Sequence, residues 1–287
     1  MKLVPATNLS CPLDGLPLKQ SDRQYQCSTG HSFDVARQGY LNLLPVQHKA
    51  SKNPGDSKEM VASRTEFLNL GFYTPVAEKL NELVAMILDA EDSASICILD
   101  AGCGDGYYLD HLQKRLLENN GERELSCIGL DISKYAIQAA TRRNRNTSWL
   151  VASNKEIPVL PESVDIIICM FGFPVYHSFQ RVLKQNGKII QFDTGPEHLL
   201  ELRKQLYPEV REAKPFTLSD TDKNSFVIEQ EGSMKFDIEL ESNEQIMHLL
   251  GMTPHFYRAP RNGIERVMKL NTIVDKVDVE YRLIKAL

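Results

Sequence analysis

The sequence lacks both a long apolar run and an excess of positive charge. No stretch approaches the roughly 18 consecutive apolar residues of a membrane span, so we expect no membrane partner. There are 33 Lys and Arg against 38 Asp and Glu, which gives a formal net charge of −5. This balance argues against wholesale coating of nucleic acid, because such binding uses surplus cations to release counterions. An RNA partner would need a local basic patch, and residues 1–66 hold eight basic and six acidic residues.

The N-terminus also lacks a targeting signal. Residues 1–10 contain one Lys and no apolar core of signal-peptide length, so we expect a cytoplasmic protein. Four of the six cysteines stand in apolar or strand-like settings that are typical of reduced core thiols; they are Cys97, Cys103, Cys127 and Cys169. At 287 residues, the chain is long enough for one large α/β domain with a small appendage.

What the sequence does contain is a glycine-rich turn between a predicted strand and a predicted helix. Residues 95–99 are short and apolar, as in a buried strand, and residues 108–118 repeat Leu and charge at helical spacing. Between them stand Gly102, Gly104 and Gly106. Glycines let a ligand lie against bare backbone, and the positive end of the following helix faces that ligand. The pattern therefore predicts a cofactor site.

The residues around the turn favour one nucleotide cofactor over others. The turn contains no Lys or Arg that would meet a pyrophosphate, and Asp100, directly before it, is an acceptor suited to a cationic ligand. Both features favour S-adenosylmethionine, whose amino-acid end carries an ammonium, over a dinucleotide. A turn that is rich in glycine for packing alone is the alternative interpretation.

The strands that follow supply two more candidate cofactor contacts. Residues 125–131 form a predicted strand that ends in Asp131, roughly 25 residues beyond the turn, where a ribose-binding carboxylate belongs in a doubly wound fold. A third predicted strand, 149–154, ends in Asn154, a side chain suited to an adenine edge.

The alternation of strands and helices predicts an α/β fold with an open parallel sheet and a site at the carboxyl ends of its strands. Further strands are expected at 164–171, 188–193, 226–230, 234–240 and 277–284, the third and fourth of these as an antiparallel pair. Helices are expected at 57–70 with Asp56 as its cap, from Thr74 onward, and at 133–143, 179–183, 196–206 and 243–250.

Two short cysteine-containing knuckles lie near the N-terminus. Cys11 is followed three residues later by Asp14, and Cys27 is followed four residues later by His31. A tetrahedral Zn²⁺ site usually takes four Cys or His ligands, so Asp14 would be an unusual oxygen ligand. Two interpretations stay open: a zinc ribbon that binds its metal through these four residues, and a ribbon that has lost the metal and is held by ordinary packing.

Several longer motifs resemble one family over nearly the whole chain. In chain order they are the two knuckles, GYLNLLPVQHK, NPGDSKEM, GFYTP, LDAGCGDGYY, GLDIS and TGPEHLLEL. This arrangement resembles the RlmA-type ribosomal RNA guanine-N1 methyltransferases. NLLPVQHK and PGDS are more specific than the glycine turn, because generic class I methyltransferases lack them. The sequence departs from the family at Asp14, where the family pattern has a second Cys.

The resemblance implies a Rossmann-like class I methyltransferase domain with a small N-terminal zinc-ribbon-like domain. It divides the chain into a ribbon for RNA recognition (1–35), a linker with bridging helices (36–90) and the methyltransferase domain (91–287). The implied reaction is transfer of a methyl group from S-adenosylmethionine to N1 of a guanine in a 23S rRNA hairpin. A homodimer is compatible with this family, and the sequence does not fix the oligomeric state.

The resemblance also assigns roles to particular residues. Cofactor contacts would come from Gly104 and Asp105 in the turn, from Tyr73 in GFYTP and from His198 in TGPEHLL. Candidate RNA and guanine contacts are His48, Lys49, Arg64, Phe171 and Phe173. No general base is singled out, although Asp193 at the end of a predicted strand is placed for the role. Two other functions stay open: methylation of a small molecule, and a non-catalytic S-adenosylmethionine-binding regulator.

Overall fold

The computed structural model describes residues 1–48, 54–118, 121–210 and 216–287. Its strands are β1 (Lys2–Leu3), β2 (Lys19–Ser21), β3 (Gln24–Gln26), β4 (Ser32–Asp34), β5 (Tyr40–Asn42), β6 (Ser95–Ala101), β7 (Glu124–Asp131), β8 (Ser148–Val151), β9 (Val164–Met170), β10 (Leu183–Thr194), β11 (Phe226–Leu240) and β12 (Ile273–Ala286). Its α-helices are α1 (Lys58–Asn69), α2 (Thr74–Asp89), α3 (Tyr107–Glu118), α4 (Lys134–Arg143), α5 (Tyr176–Val182), α6 (Leu200–Leu206), α7 (Asn243–Met252), α8 (His255–Arg258) and α9 (Arg261–Val267). Short 3₁₀ turns lie at Val46–His48 and Asp222–Asn224.

A large mixed sheet forms the centre of the molecule. Its strand order is β11-β12-β10-β9-β6-β7-β8-β5, and β1 pairs with the start of β7. The pairs from β10 to β5 are parallel, whereas β12 runs antiparallel to both β10 and β11. The chain moves outward in one direction from β6 to β8 and then returns to β9 on the other side of β6. This reversal opens a crevice at the carboxyl end of β6, the usual ligand position in an open α/β sheet.

Alternating side chains of the central strands build a core on each face of the sheet. In β6, Ile96 and Ile98 belong to one apolar cluster and Cys97 and Leu99 to the other. The first cluster is covered by apolar residues of α1, α2, α3, α6 and α7, such as Phe67, Leu80, Leu112, Leu202 and Leu249. The second is covered by α5 and by the N-terminal segment, through residues such as Leu9, Leu18 and Phe179. The N-terminal segment therefore packs directly on the sheet.

A three-stranded antiparallel sheet, β2-β3-β4, carries the N-terminal knuckles. It is fastened to the main body because Leu9 forms a β-bridge with Val159 and the Ser10 amide donates to the Pro158 carbonyl at 3.0 Å. The segment beyond it contributes β5, which pairs with β8 and extends the central sheet.

The structure confirms the α/β class and most elements, and it corrects four expectations. The sheet is mixed because β12 returns antiparallel. Ser57, rather than Asp56, caps α1, since its hydroxyl accepts from the Met60 amide at 3.2 Å. Residues 226–240 form one strand whose pairing shifts between Ile228 and Gln230, whereas the sequence pattern predicts two strands.

The fourth correction concerns the helix expected at 196–206, which begins at Leu200. Leu199 has a left-handed φ of 49°, so the chain cannot continue a helix through it. The carboxylate of Asp275 instead accepts from the amides of Glu201 and Leu202 and provides the N-terminal cap. A distant strand thus sets this boundary.

Among the residues that the structure describes, none of the helices combines the length and apolar character needed to span a bilayer. The six cysteines are buried, unpaired thiols, as expected for the four in the core.

Candidate functional site

The glycine turn lies at the crevice beside the carboxyl end of β6. Gly102, Gly104 and Gly106 have φ angles of 90°, 55° and 77°, a region that other residues rarely adopt. A Cβ atom on Gly106 would lie 2.7 Å from the ring of Trp149, which is too close for a side chain. Backbone conformation therefore favours glycine at all three positions, and packing against Trp149 adds a second requirement at Gly106.

Asp100 stands at the end of β6 with an unsatisfied carboxylate. The residue is 1% exposed, and its Oδ1 atom has no hydrogen-bond partner among the described residues. Burial, together with the nearby charge of Asp131, raises its pKa to about 8. A buried carboxylate without a partner is costly, so this site is suited to a cationic group of a ligand.

Asp131 lies next to the same turn and is oriented by the backbone. One carboxylate oxygen accepts from the Gly104 amide at 3.0 Å and the other accepts from the Ser133 amide at 2.7 Å. Burial raises its pKa despite these hydrogen bonds. Each oxygen keeps a free lone pair that a ribose hydroxyl could use.

Asn154, which follows β8, also lies against the turn. A Cβ atom on Gly102 would be 3.7 Å from the Asn154 Nδ2 atom, so this side chain is next to the glycine backbone. Nδ2 donates weakly to the Phe173 carbonyl at 3.5 Å, while the buried Oδ1 lacks a partner within the described chain. The predicted residues Asp100, Gly102, Asp131 and Asn154 are thus brought together around one crevice.

Asp105 has a different environment from its neighbours in the turn. It is 2% exposed; its carboxylate pairs with Arg143 at 2.6 Å and accepts from the Thr65 hydroxyl at 2.9 Å. These contacts join the turn to α1 and α4. The carboxylate is already occupied, so a cofactor contact at this position would come from the backbone.

Arg64 is a residue whose placement the sequence did not reveal. Its guanidinium lies 3.5 Å from the Cβ position of Gly104, pairs with Asp56 at 2.6 Å and donates to the Met252 carbonyl at 3.3 Å. The sequence suggested an RNA contact, whereas the structure turns this cation toward the cofactor crevice. An isolated Arg on a helix gives no sequence signal for such a position.

Tyr73 and His198 meet although they are 125 residues apart. The Tyr73 hydroxyl lies 3.2 Å from His198 Nε2, and His198 Nδ1 lies 3.0 Å from the Asp278 carbonyl. The Asp278 amide also lies 3.3 Å from Nδ1, but the Asp278 carbonyl is closer and can only accept. A proton on Nδ1 uses this shorter contact and leaves Nε2 to accept from the Tyr73 hydroxyl. Burial lowers the pKa of His198 to about 4, so the ring is neutral at pH 7. The two side chains therefore belong to one hydrogen-bonded group.

Aromatic rings surround this pair. Phe171 lies edge-on to Tyr73 at 6.3 Å between ring centroids and near His198 at 6.2 Å. Phe171 also has a left-handed φ of 53°, which is uncommon for a bulky residue and marks a constrained backbone at the end of β9. Two residues later, Phe173 is 87% exposed.

Asp193, considered for a general base, is already engaged. Its carboxylate accepts from Arg282 at 2.8 Å and from the Gln191 amide at 2.7 Å. Burial raises its pKa, although Gln191 and Arg282 oppose the shift. These partners give the Asp193 side chain a structural function between β10 and β12. We therefore do not assign Asp193 as the general base.

The four knuckle residues form a compact group of metal-ligand atoms. Donor atoms of Cys11, Asp14, Cys27 and His31 all lie within 4.8 Å of one another. His31 Nδ1 is 3.5 Å from each cysteine sulfur and 3.0 Å from an Asp14 oxygen. Separations of this size suit four ligands at roughly 2.0–2.3 Å from a common Zn²⁺ ion. The donor set therefore fits zinc.

Hydrogen bonds prepare part of this group for metal binding. Those from the Thr29 hydroxyl and the Leu16 amide hold the pKa of Asp14 well below its usual range. Burial opposes ionisation of Cys27, but hydrogen bonds at Thr29 outweigh it and lower the thiol pKa. Zinc binds the deprotonated forms, so both shifts favour the metal-bound state.

The fold and these sites together define a class I S-adenosylmethionine-dependent methyltransferase with an N-terminal zinc ribbon. Residues 9–52 match the zinc-ribbon family described as the N-terminal part of RlmA, and residues 98–191 match a methyltransferase domain family. The chain belongs to the RlmA-type methyltransferase family.

Three relatives align with about two thirds of the chain or more. A 23S rRNA (guanine(748)-N(1))-methyltransferase of Streptomyces fradiae is 32% identical over 195 residues, which cover 68% of this chain and 66% of that protein. A candidate 23S rRNA (guanine-N(1)-)-methyltransferase of Micromonospora griseorubida is 29% identical, with 86% of each chain covered. Another candidate of the same name, from Bacillus subtilis, is 26% identical with 94% of each chain covered.

Proposed function

We propose that this protein transfers a methyl group from S-adenosylmethionine to N1 of a guanine in a hairpin of 23S rRNA. The observation that carries the proposal is that this chain combines a zinc ribbon with a methyltransferase domain. A relative from Bacillus subtilis, named as a candidate 23S rRNA (guanine-N(1)-)-methyltransferase, aligns with it over 94% of both chains. The cofactor crevice and the compact metal-ligand group add independent support. The proposed division of labour is RNA recognition by residues 1–35, bridging by 36–90 and catalysis by 91–287.

The residues of the crevice fit the parts of S-adenosylmethionine. Asp100 would pair with the ammonium, Arg64 with the carboxylate, Asp131 with the ribose and Asn154 with the adenine. The glycine backbone, including Gly102, Gly104, Asp105 and Gly106, would line the crevice. Arg64 already has Asp56 as a partner, so the cofactor carboxylate would compete with Asp56 or share the guanidinium.

When bound, S-adenosylmethionine would supply the methyl group of its sulfonium, which guanine N1 takes by in-line displacement while S-adenosylhomocysteine leaves and the N1 proton is released to water. The chain's task is then to position guanine N1 and exclude water. Tyr73 and His198 are neutral and hydrogen-bonded to each other, so they add no positive charge near a cationic ligand. With Phe171 they offer aromatic surfaces, which attract cations.

A guanine in a hairpin must be unstacked before its N1 atom can be reached. The Phe173 ring is almost fully exposed just after the carboxyl end of β9, and the backbone carbonyl of Phe173 accepts from Asn154. We propose that this ring stacks on the extruded guanine, since base–aromatic stacking stabilises unpaired bases. Phe171, which is half-buried, would support the base from the protein side.

For the ribbon, we propose a Zn²⁺ ion held by Cys11, Asp14, Cys27 and His31. The thiolates of Cys11 and Cys27 and the carboxylate of Asp14 would give the Zn²⁺ site a net charge of about −1, and neutral His31 would be the fourth ligand of the tetrahedron. The metal would fix the two knuckles relative to each other and so shape the RNA-facing surface. His48 and Lys49 stay candidate RNA contacts, and Lys49 lies outside the described residues. A cytoplasmic location and a homodimer also remain proposals.

The decisive test supplies purified protein, labelled S-adenosylmethionine and unmodified 23S rRNA transcribed in vitro. We expect label in RNA, and N1-methylguanine as the modified nucleoside on mass spectrometry. Because the N1 methyl group blocks base pairing, reverse transcription should stop at one guanine in a hairpin. Label at another atom would refute the assignment of N1. If no RNA is labelled although the cofactor binds, the small-molecule and regulator alternatives replace the proposal.

A further inference from the structure

We propose that exposed side chains of α8 and α9 and of the turn after α9 form a second RNA-binding surface beside the cofactor crevice. This surface, named the α8–α9 surface, consists of Phe256, Tyr257, Arg258, Arg261 and Lys269. The inference rests on the proposed function, since it names where the same RNA substrate would contact the catalytic part. These five residues lie outside the motifs that carry the family resemblance.

Positive charge is concentrated here in an otherwise acidic chain. Residues 254–270 contain four basic residues and one acidic residue, while the whole chain has a net charge of −5. Arg258 and Lys269 are exposed, and neither side chain forms a hydrogen bond or ion pair with the residues that the structure describes. Arg261 is 93% exposed and pairs with Glu265 at 3.0 Å, a weak contact in solvent. The patch therefore offers cations to an anionic partner.

Exposed aromatic rings lie among these cations. Phe256 and Tyr257 are 37% and 55% exposed, and their ring centroids are 5.2 Å apart in an edge-to-face arrangement. Rings that alternate with Arg or Lys are the surface that single-stranded or looped RNA prefers, because bases stack on the rings while phosphates meet the cations. An acidic protein partner would use the cations but would not need the rings.

The backbone that carries these side chains is firmly anchored. Gly263 packs so closely that a Cβ atom would lie 2.0 Å from the Leu206 carbonyl oxygen, and Val267 is fully buried. The Asn243 amide donates to the carbonyls of Met268 and Leu270 at 3.1 and 2.7 Å. The basic groups of α9 and of the turn after it are thus presented by a fixed support, which lowers the entropic cost of binding.

The α8–α9 surface is continuous with the cofactor crevice. The Tyr257 hydroxyl lies 3.2 Å from the hydroxyl of Ser57, the N-cap of α1. Asp56, next to Ser57, pairs with Arg64 at 2.6 Å, and Arg64 reaches the glycine turn. RNA held on α8 and α9 would therefore lie at the edge of the crevice that receives the guanine.

The test compares two double variants with equal loss of charge. Arg258→Ala with Lys269→Ala removes the two cations of the surface that have no partner among the described residues. Lys114→Ala with Arg115→Ala, on the exposed side of α3, is the matched control. Binding of unmodified 23S rRNA transcribed in vitro is measured at several salt concentrations, with S-adenosylhomocysteine affinity and thermal stability as controls on folding.

We expect the surface variant to bind this RNA about tenfold more weakly at about 0.1 M salt, and the control to change less than about twofold. The slope of log Kd against log salt should fall by about 0.7 for each phosphate that the variant no longer neutralises. Tyr257→Ala should weaken RNA binding about fivefold because one stacking platform is removed, with a salt slope equal to that of the wild type. Affinity for S-adenosylhomocysteine should stay constant in all three.

Equal RNA affinity and salt slope in both double variants would overturn this inference alone. A change in oligomeric state by light scattering, with unchanged RNA affinity, would likewise overturn it and assign the patch to protein association. If wild-type protein binds the RNA but leaves guanine N1 unmethylated, the proposed reaction fails while the binding comparison still decides the surface. If wild-type protein does not bind the RNA, both proposals fail.

Discussion

Two aspartates, Asp100 in the crevice and Asp14 in the ribbon, have opposite electrostatic environments. Asp100 is buried, its Oδ1 atom has no hydrogen-bond partner in the described part of the chain, and its pKa is raised to about 8. Asp14 accepts from Thr29 and from the Leu16 amide, and its pKa is lowered. We propose that the crevice acid gains its partner from the cofactor, whereas the ribbon acid is held ionised by its own loop. The crevice around Asp100 is suited to a large organic cation, and the site around Asp14 is suited to a small metal ion.

The difference predicts that the two sites can be disabled separately. In the ribbon, the three-stranded sheet is small, and on the zinc proposal its two knuckles would depend on a metal that draws their ligands together. In the crevice, the supporting strands are buried on both faces, so we expect them to stay folded without the cofactor. Variants in one site should therefore leave binding at the other intact.

The largest effect is expected from Cys27→Ala. Loss of one thiolate ligand should reduce bound zinc from about one ion per chain to below about 0.2, because closed sites need four ligands. RNA methylation should fall by roughly 100-fold or more, with S-adenosylhomocysteine affinity unchanged within about twofold. Metal analysis by mass spectrometry measures the first quantity and calorimetry the last. Cys97→Ala, a buried thiol outside the ribbon, is the control and should retain zinc. Stoichiometric zinc in Cys27→Ala would contradict the proposed ligand set.

The second prediction concerns the crevice, through Gly106→Ala. A methyl group at this position would meet Trp149 at 2.7 Å on top of a φ of 77°. We expect destabilisation of about 2–5 kcal/mol and loss of cofactor binding, since overpacking and left-handed strain add. Gly39→Ala is the control, because its φ is 95° but nothing lies within 4 Å of the added Cβ. It should cost about 1–2 kcal/mol of strain alone. Equal urea midpoints for the two variants would contradict this prediction, because they would show that the Trp149 ring moves away from the added methyl group at no cost in stability.

The third prediction tests the raised pKa directly with Asp100→Asn. A native pKa of about 8 lies above the ordinary value of 3.8, so the native state holds the proton more tightly than the unfolded chain. Stability without cofactor is then greatest at low pH and falls as pH rises from about 4 to about 8, by at most about 1.4 kcal/mol per unit. Asp100→Asn should remove this fall. Urea unfolding at about pH 5 and about pH 8 measures it for both proteins.

Saturating S-adenosylhomocysteine provides a second arm of that experiment. Its ammonium should stabilise ionised Asp100 and flatten the pH dependence of the wild type, with no such effect on Asp100→Asn. The variant should also bind the ligand about 10- to 100-fold more weakly at about pH 8, as expected for loss of a buried charge pair. Parallel pH curves for the two proteins would mean that another group causes the dependence.

Sequence patterns could predict the crevice because its parts follow local rules. A strand, a glycine turn and a helix specify where Gly102, Gly104 and Gly106 lie, and an acid at the end of the next strand specifies Asp131. The knuckle spacing likewise predicted that four ligand atoms would come together. In each case, a few consecutive residues fix the geometry.

What the sequence could not predict depends on distant contacts. The cap of α6 comes from Asp275, and the occupied carboxylate of Asp105 depends on Arg143, both far along the chain. Arg64 reaches the turn because α1 packs beside it. The cofactor contacts of Tyr73 and His198 were predicted from the family resemblance alone, and their hydrogen bond to each other was not predicted, since neither residue stands in a pattern that requires it.

The smallest effect is expected from Tyr73→Phe, which removes one hydroxyl from the crevice and keeps the ring. His198 Nε2 would lose its donor, and removal of a hydrogen bond between neutral groups costs about 1 kcal/mol. Cofactor affinity should fall about two- to fivefold if Tyr73 acts through His198, and the variant His198→Asn should show little further loss in combination with it. Additive losses in the double variant, measured by calorimetry, would mean that each residue contacts the cofactor independently. Zinc content should not change in the Tyr73 and His198 variants, because the ribbon and the crevice hold their ligands by separate sets of contacts.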